Sequence, residues 1–176
     1  MSTNTFTDPS AINIATADES YRQLLRAKCR ESLYFLSKAI LGFRDFTPGI
    51  HGKAAAFVQN QDTRRKLFML PRGFMKSHLA TIAYTIWLVI QEPHGRFRGA
   101  DERILIANAV SDNSEHFLAK IKSVFERNAV FQWLFPDLIP DFASRQIQWN
   151  VTEASIPRSV TYPEPTFSAM GVGGAV

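Results

Sequence analysis

The residues whose types and spacing best fit a chemical role lie together at positions 70–77, which read LPRGFMKS. A polyphosphate is bound by backbone N–H groups that converge in one tight loop, by a cation near its terminal oxygens and by a hydroxyl that helps to hold Mg²⁺. The consensus for such a loop, between a strand and a helix, is G-x-x-x-x-G-K-[ST]. Lys76 and Ser77 match this consensus, whereas Leu70 and Met75 stand where it has glycine.

Other residues of the segment also affect its capacity to bind phosphate. Gly73 can adopt a positive φ, whereas Pro71 removes one backbone donor. Lys76 falls in the first turn of the helix predicted after the loop, where a cation opposes the helix dipole by about 0.3–1 kcal/mol. A bound anion would explain that placement. The alternative is an ordinary strand-to-helix turn with a solvated lysine and a serine cap, and the flanking pattern favours phosphate binding.

Apolar periodicity predicts the elements that must position this loop. Predicted strands lie at 66–70 and 103–109, both as buried apolar runs, and at 146–151 and 166–170. Three- and four-residue spacing of apolar residues predicts a helix at 21–41, and length with all-round hydrophobicity predicts one at 77–91. Further helices are predicted at 51–59, 112–128 and 129–134. The helix at 112–128 opens with capping-box spacing from Asp112 to Glu115. The order strand, helix, strand, helix predicts an α/β fold with a mainly parallel, doubly wound sheet, preceded by N-terminal helices.

The loop and its flanks resemble one family, the large terminase subunit of tailed bacteriophages, which is the ATPase that packages DNA into procapsids. Members often read R-G-x-x-K-[ST], and here Arg72 stands four residues before Lys76. The segments ILIANAVSDNSEHFLAKIKSVFERNAVFQWLFPDL and TFSAMGVGG also resemble the family's second strand–helix unit and its glycine-rich segment. The resemblance covers residues 20–176, after a flexible leader predicted at 1–19.

This resemblance implies a P-loop fold and a site for ATP and Mg²⁺. The residues that it implies for nucleotide binding are Arg72, Gly73, Phe74, Met75, Lys76 and Ser77. Lys76 would contact the β- and γ-phosphates, and Ser77 would contact the Mg²⁺. Arg72 would stabilise the γ-phosphate during transfer, so Arg72 and Lys76 would be the catalytic residues. Met75 would have to direct its side chain away from the phosphates for the loop to close.

The acidic half of an ATPase site is missing from this sequence. A P-loop ATPase needs a second apolar strand that ends in Asp or Glu, to hold Mg²⁺ and to activate water, and neither 133–137 nor 148–153 fits that pattern. We therefore expect the N-terminal portion of a terminase-type ATPase domain, without its acidic strand and nuclease domain. Such a chain should bind nucleotide at most weakly and should not hydrolyse it. The partners implied for the parent protein are double-stranded DNA, the terminase small subunit, the portal protein and further copies in a ring, in the host cytoplasm.

Composition and charge limit the other classes of function. The longest nearly apolar stretch, at 78–90, has 13 residues, fewer than the roughly 20 that span a bilayer. The single cysteine, Cys29, and the four histidines show no metal-ligand spacing, and Cys29 lies among apolar helical positions, which predicts a buried thiol.

The positive charge of the chain is concentrated in its middle segment. Residues 61–100 hold seven basic and two acidic side chains. This excess predicts either a solvated basic loop or a DNA contact, and the residues concerned are Arg64, Arg65, Lys66, Arg96 and Arg98. Two alternatives to a terminase remain open, another P-loop motor of the helicase type and a non-catalytic module that binds DNA or a protein.

Overall fold

The computed structural model describes residue 14 and residues 18–144 and 147–173, so most of the predicted leader lies outside it. Helix α1 spans Glu19–Glu31, with Asp18 as its N-cap. The Asp18 carboxylate accepts a hydrogen bond, at 2.7 Å, from the backbone N–H three residues further on. This is the arrangement of a helix N-cap, and it fixes the start of α1.

Ser32 interrupts the single helix that the sequence predicted over 21–41. Its backbone is extended, with a φ of −129°, and its hydroxyl accepts a hydrogen bond from the Phe35 N–H at 3.1 Å. Helix α2, Leu33–Phe35, follows and continues as a π-helical turn over Leu36–Ile40. The prediction of helical structure is therefore confirmed, with a break and a new N-cap at the serine.

Two helical segments flank the candidate loop. A π-helical turn at Pro48–Gly52 leads into α3, Lys53–Gln59, as predicted. After the loop, helical residues begin at Lys76 and run through a π-helical stretch, His78–Ala83, into α4, Tyr84–Val89. The apolar residues of this long helix are buried on nearly all sides. The prediction of a buried helix directly after the loop is confirmed.

The strands form one small mixed sheet in the order β1-β3-β2. Its members are β1, Ile104–Asn108, β2, Glu153–Ala154, and β3, Phe167–Gly171. β1 and β3 pair in parallel, and β2 pairs antiparallel to β3. Helix α5, Ser111–Arg127, packs on β1 and β3 and is followed by α6, Ala129–Leu134. The chain therefore has a mixed α/β architecture.

The two faces of this sheet differ in burial. Ile106 and Phe167 lie on the face that is covered by α5, where Phe125 approaches Phe167 with ring centroids 5.9 Å apart. On the opposite face Leu105 is 59% exposed. The strand predicted at 103–109 is present, but it is buried on one face only.

The prediction of a buried strand at residues 66–70 is wrong. These residues pair with no strand in the part of the chain that the structure describes, and Leu67 and Met69 are 79% and 77% exposed. Phe68 points the other way and stacks on Phe57, with ring centroids 6.1 Å apart. The segment thus alternates inward and outward as an extended chain does, but without a hydrogen-bonded neighbour. The sequence predicted a strand followed by a helix at the start of a doubly wound sheet. Of these two elements, the described part of the chain has the helix and not the strand.

The capping box predicted at the start of α5 is also wrong. The N-cap is Val110, which has no side chain that can accept a hydrogen bond, and Asp112 lies inside the first turn. The Ser114 hydroxyl instead donates to the carbonyl oxygens of Ser111 at 2.6 Å and of Met170 at 3.0 Å, and so ties the helix to β3.

The two strands predicted near the C-terminal end differ in their outcome. The strand predicted at 166–170 is confirmed as β3. Of the strand predicted at 146–151, residue 146 lies outside the described residues, and Trp149 forms only a single bridge, to Ala154. Across the ranges that the structure describes, none of the helices combines the length and the apolar character needed to cross a bilayer.

Candidate functional site

The loop before the long helix passes through two residues with positive φ. The chain turns at Arg72 and Gly73, and Gly73 has a φ of 87°. Met75 has a φ of 47° and is, among the described residues, the one non-glycine residue with a positive value. This left-handed conformation costs a residue with a Cβ about 1–2 kcal/mol. Met75 stands where the phosphate-binding consensus has its second glycine, so the backbone there adopts a conformation that glycine would adopt freely.

The start of the helix leaves several backbone donors free. The first helical hydrogen bond runs from the Leu79 N–H to the Met75 carbonyl oxygen at 3.1 Å. Within the described part of the chain, the N–H groups of Met75, Lys76 and Ser77 donate to no acceptor. Such unpaired groups carry the partial positive charge of a helix N-terminus. Three of them in sequence, directly after a tight turn, can bind an anion.

The two cations of the loop have no partner among the residues that the structure describes. Arg72 is exposed and Lys76 is half-buried, and neither side chain forms an ion pair or a hydrogen bond there. By contrast, Arg30 pairs with Glu92 at 2.5 Å and also donates to a backbone carbonyl. The loop therefore presents two positive charges that no described side chain neutralises.

Packing against the core holds the helix side of the loop. The Met75 side chain is partly buried against the hydrophobic core, and Phe74 beside it is 37% exposed. The rings of Phe43 and His78 meet edge to face, with centroids 5.3 Å apart. Burial lowers the pKa of His78, and the positive charge of Lys120 lowers it further. The neutral imidazole is therefore favoured, in a packing role beside the loop.

The structure places the six predicted binding residues together, on one short turn and the start of one helix. The hydroxyl of Ser77, one of the six, forms no hydrogen bond within the described chain. Over the same described ranges, no group of three or more His, Cys, Asp or Glu side chains is arranged to hold a metal ion. The arrangement can bind an anion through amides and cations. The six residues themselves include no carboxylate.

Sequence reasoning missed a second cationic site. Arg64, Lys66 and Arg96, which the sequence placed in a basic loop, line one pocket together with uncharged side chains. The excess of basic residues at 61–100 was the signal for it. That signal did not show which of these residues come together.

Comparisons of the chain with models of protein families, with curated proteins and with solved structures each gave no match. What the chain binds is therefore inferred from its own residues and their geometry.

Proposed function

We propose that the loop at residues 70–77 binds the phosphates of a nucleoside triphosphate, ATP with Mg²⁺, and that the chain is the ATP-binding part of a terminase-type P-loop motor. The observation that carries this proposal is the φ of 47° at Met75, directly before a helix that opens with Lys76. Strained backbone persists where the surrounding structure enforces it, and it is concentrated at ligand-binding and catalytic sites. Here it occurs at the position where a phosphate-binding loop has glycine.

The backbone and three side chains of the loop have distinct roles in this proposal. The amides from Met75 to Ser77 and the Lys76 ammonium group bind phosphate oxygens, and Arg72 binds the terminal phosphate. The Ser77 hydroxyl helps to hold Mg²⁺, which neutralises charge on the phosphates when it is bound. The packing of the Met75 side chain against the core is compatible with these roles, because only its backbone is needed for the ligand.

The wider function follows from the resemblance and from charge. A terminase-type motor uses ATP to move double-stranded DNA into a procapsid as a ring of copies on the portal protein, with a small subunit, in the host cytoplasm. The basic excess at 61–100 is compatible with a polyanionic partner. The described residues supply no acidic metal cluster, so we propose that this chain binds nucleotide without hydrolysing it. The P-loop fold with its doubly wound sheet is part of the same proposal.

One observation favours a different function. Residues 66–70 do not form the strand that a phosphate-binding loop normally follows. A non-catalytic module that binds DNA or a protein through its basic residues would need no such strand.

The binding of a non-hydrolysable ATP analogue with Mg²⁺ tests the proposal. Lys76→Met keeps the length of the side chain and removes its charge, and we expect it to weaken binding about tenfold or more, because a charge-assisted hydrogen bond contributes about 1.5–3 kcal/mol. Lys120→Met makes the same chemical change at an exposed position of α5 whose charge reaches His78, and it should weaken binding much less, because it removes no direct contact with the phosphates. Equal affinity in all three proteins would favour the non-catalytic module.

A further inference from the structure

A cationic pocket lies beside the long helix, at a distance from the candidate loop. It is lined by Gln61, Thr63, Arg64, Lys66, Tyr84 and Arg96 and has a volume of about 320 Å³. One water molecule occupies about 30 Å³ of liquid, so the pocket has room for a small anion with part of its hydration. Tyr84 lies eight residues after Lys76, which corresponds to about 10–12 Å along the helix axis. The pocket is therefore separate from the turn at 72–75.

Backbone carbonyl groups hold two of the cations in place. The Lys66 ammonium group donates to the carbonyl oxygen of Val58 at 2.5 Å and to that of Asn60. The Arg96 guanidinium donates to the carbonyl oxygen of Gln61. An ammonium group has three N–H donors and a guanidinium has five. Both cations therefore keep N–H groups that these carbonyls do not use.

The pocket has more positive than negative charge. Burial lowers the pKa of Lys66, the nearby Arg96 lowers it further, and Asp62 opposes the shift. Arg64 adds a third cation, which is exposed and has no partner among the described residues. The Tyr84 hydroxyl accepts a hydrogen bond from the Gln61 amide at 3.2 Å, so its own proton is available to a ligand.

Capping of α3 explains only part of this arrangement. Lys66 neutralises free carbonyl groups at the end of that helix, which is a common role for a cation. Arg96 comes from a different part of the chain, a turn closed by reciprocal backbone hydrogen bonds between His94 and Phe97. Two distant segments thus bring cations to one cavity, and an anion there would relieve their mutual repulsion.

We propose that this pocket binds a single phosphate group, carried either by free inorganic phosphate or by a nucleic-acid backbone. Lys66 and Arg96 provide fixed N–H donors, Arg64 provides a mobile charge, and the hydroxyl of Tyr84 orients one oxygen. The proposal does not depend on nucleotide binding by the loop at 70–77, because the two sites share no residue.

The first test is a titration with inorganic phosphate, followed by NMR of the backbone amides. We expect saturable shifts at 61–66 and around Arg96 that persist in Lys76→Met. Arg64→Gln and Arg96→Gln should each weaken binding about tenfold. Arg64→Gln changes an exposed side chain without partners in the described chain and should therefore fold normally. Arg127→Gln, at an exposed position in the last turn of α5, is the matched control and should bind phosphate as the unaltered chain does.

The second test uses a short DNA duplex and fluorescence anisotropy at several salt concentrations. If the phosphate belongs to a nucleic acid, Arg96→Gln should weaken duplex binding. It should also make the negative slope of log K against log salt shallower by about 0.9, the value for one lost phosphate contact. If only the phosphate titration responds, the ligand is the free anion. The proposal is overturned if Arg64→Gln, Arg96→Gln and Arg127→Gln behave alike in both tests, or if Lys76→Met abolishes all phosphate binding.

Discussion

We predict that Met75→Gly is more stable than Met75→Ala, although alanine usually gives the more stable protein of the two. Both substitutions remove the side chain from the core, so that loss cancels when the two variants are compared. Alanine keeps the Cβ that makes the φ of 47° unfavourable by about 1–2 kcal/mol, whereas glycine adopts this φ freely. Glycine loses about 0.4–1 kcal/mol through the greater entropy of the unfolded chain. The glycine variant should therefore be more stable by about 0.5–1 kcal/mol.

Urea denaturation followed by far-ultraviolet circular dichroism measures this difference in the free energy of unfolding. Ala56→Gly provides the control, because Ala56 is exposed within α3, where glycine should cost about 0.5–1 kcal/mol in the usual direction. An alanine variant at position 75 that is as stable as the glycine variant would refute the reasoning. Residue 75 would then not require a left-handed backbone, and the loop would lose the feature that carries the proposed function.

Three further predictions concern individual side chains. Lys76→Met should raise the free energy of unfolding by about 0.3–1 kcal/mol at low salt, because a cation in the first helical turn opposes the dipole; an equal gain in Lys120→Met would contradict this. Burial raises the pKa of the Cys29 thiol to about 12, so a thiol reagent at mildly alkaline pH should modify it in denaturant and not in the folded chain; rapid modification of the folded chain would show that the thiol is accessible. Burial opposes ionisation of Asp101, but hydrogen bonds from residues 159–160 outweigh it and lower its pKa. Ionised Asp101 should therefore stabilise the folded chain fully above the ordinary carboxyl pKa, and this stabilisation should be lost as the pH falls through the lower pKa of the folded state. Asp101→Asn lacks it, so the difference between the two proteins in the free energy of unfolding, measured with urea, should shrink at low pH. A difference that does not change with pH would contradict this.

The helices of this protein could be predicted because their signals are local. Apolar residues every three or four positions place one stripe of a helix in the core, and Leu25 and Cys29 of α1 are buried as that pattern requires. The stretch at 77–91 has apolar residues on all sides, which predicts a helix covered on all sides. The break at Ser32 also has a local cause, because a serine hydroxyl can accept a hydrogen bond from a backbone N–H three residues on.

The errors in prediction arose where distant partners decide the structure. The apolar run at 66–70 specifies an extended chain, but a strand also needs a neighbour, and no local signal shows whether one is present. The spacing from Asp112 to Glu115 fits a capping box, yet α5 starts one residue before Asp112, and Ser114 in its first turn donates to the Met170 carbonyl oxygen of the distant strand β3. The cationic pocket depends on the turn at 94–97 folding back toward residue 61, a contact between residues far apart in sequence.

The fold fixes one side of the candidate loop more firmly than the other. This difference predicts that Lys76 contributes more to binding than Arg72 does. The helix side carries the free amides and Lys76, and it is fixed by the packing of Met75 and His78. The other side follows residues 66–70, which have no strand partner in the described chain, and Arg72 there is exposed. A donor that is already ordered binds at a lower entropic cost than one that the ligand must order. In the ATP-analogue titration we therefore expect Arg72→Gln to weaken binding less than Lys76→Met does, and the reverse order would mean that the unsupported side makes the main contact.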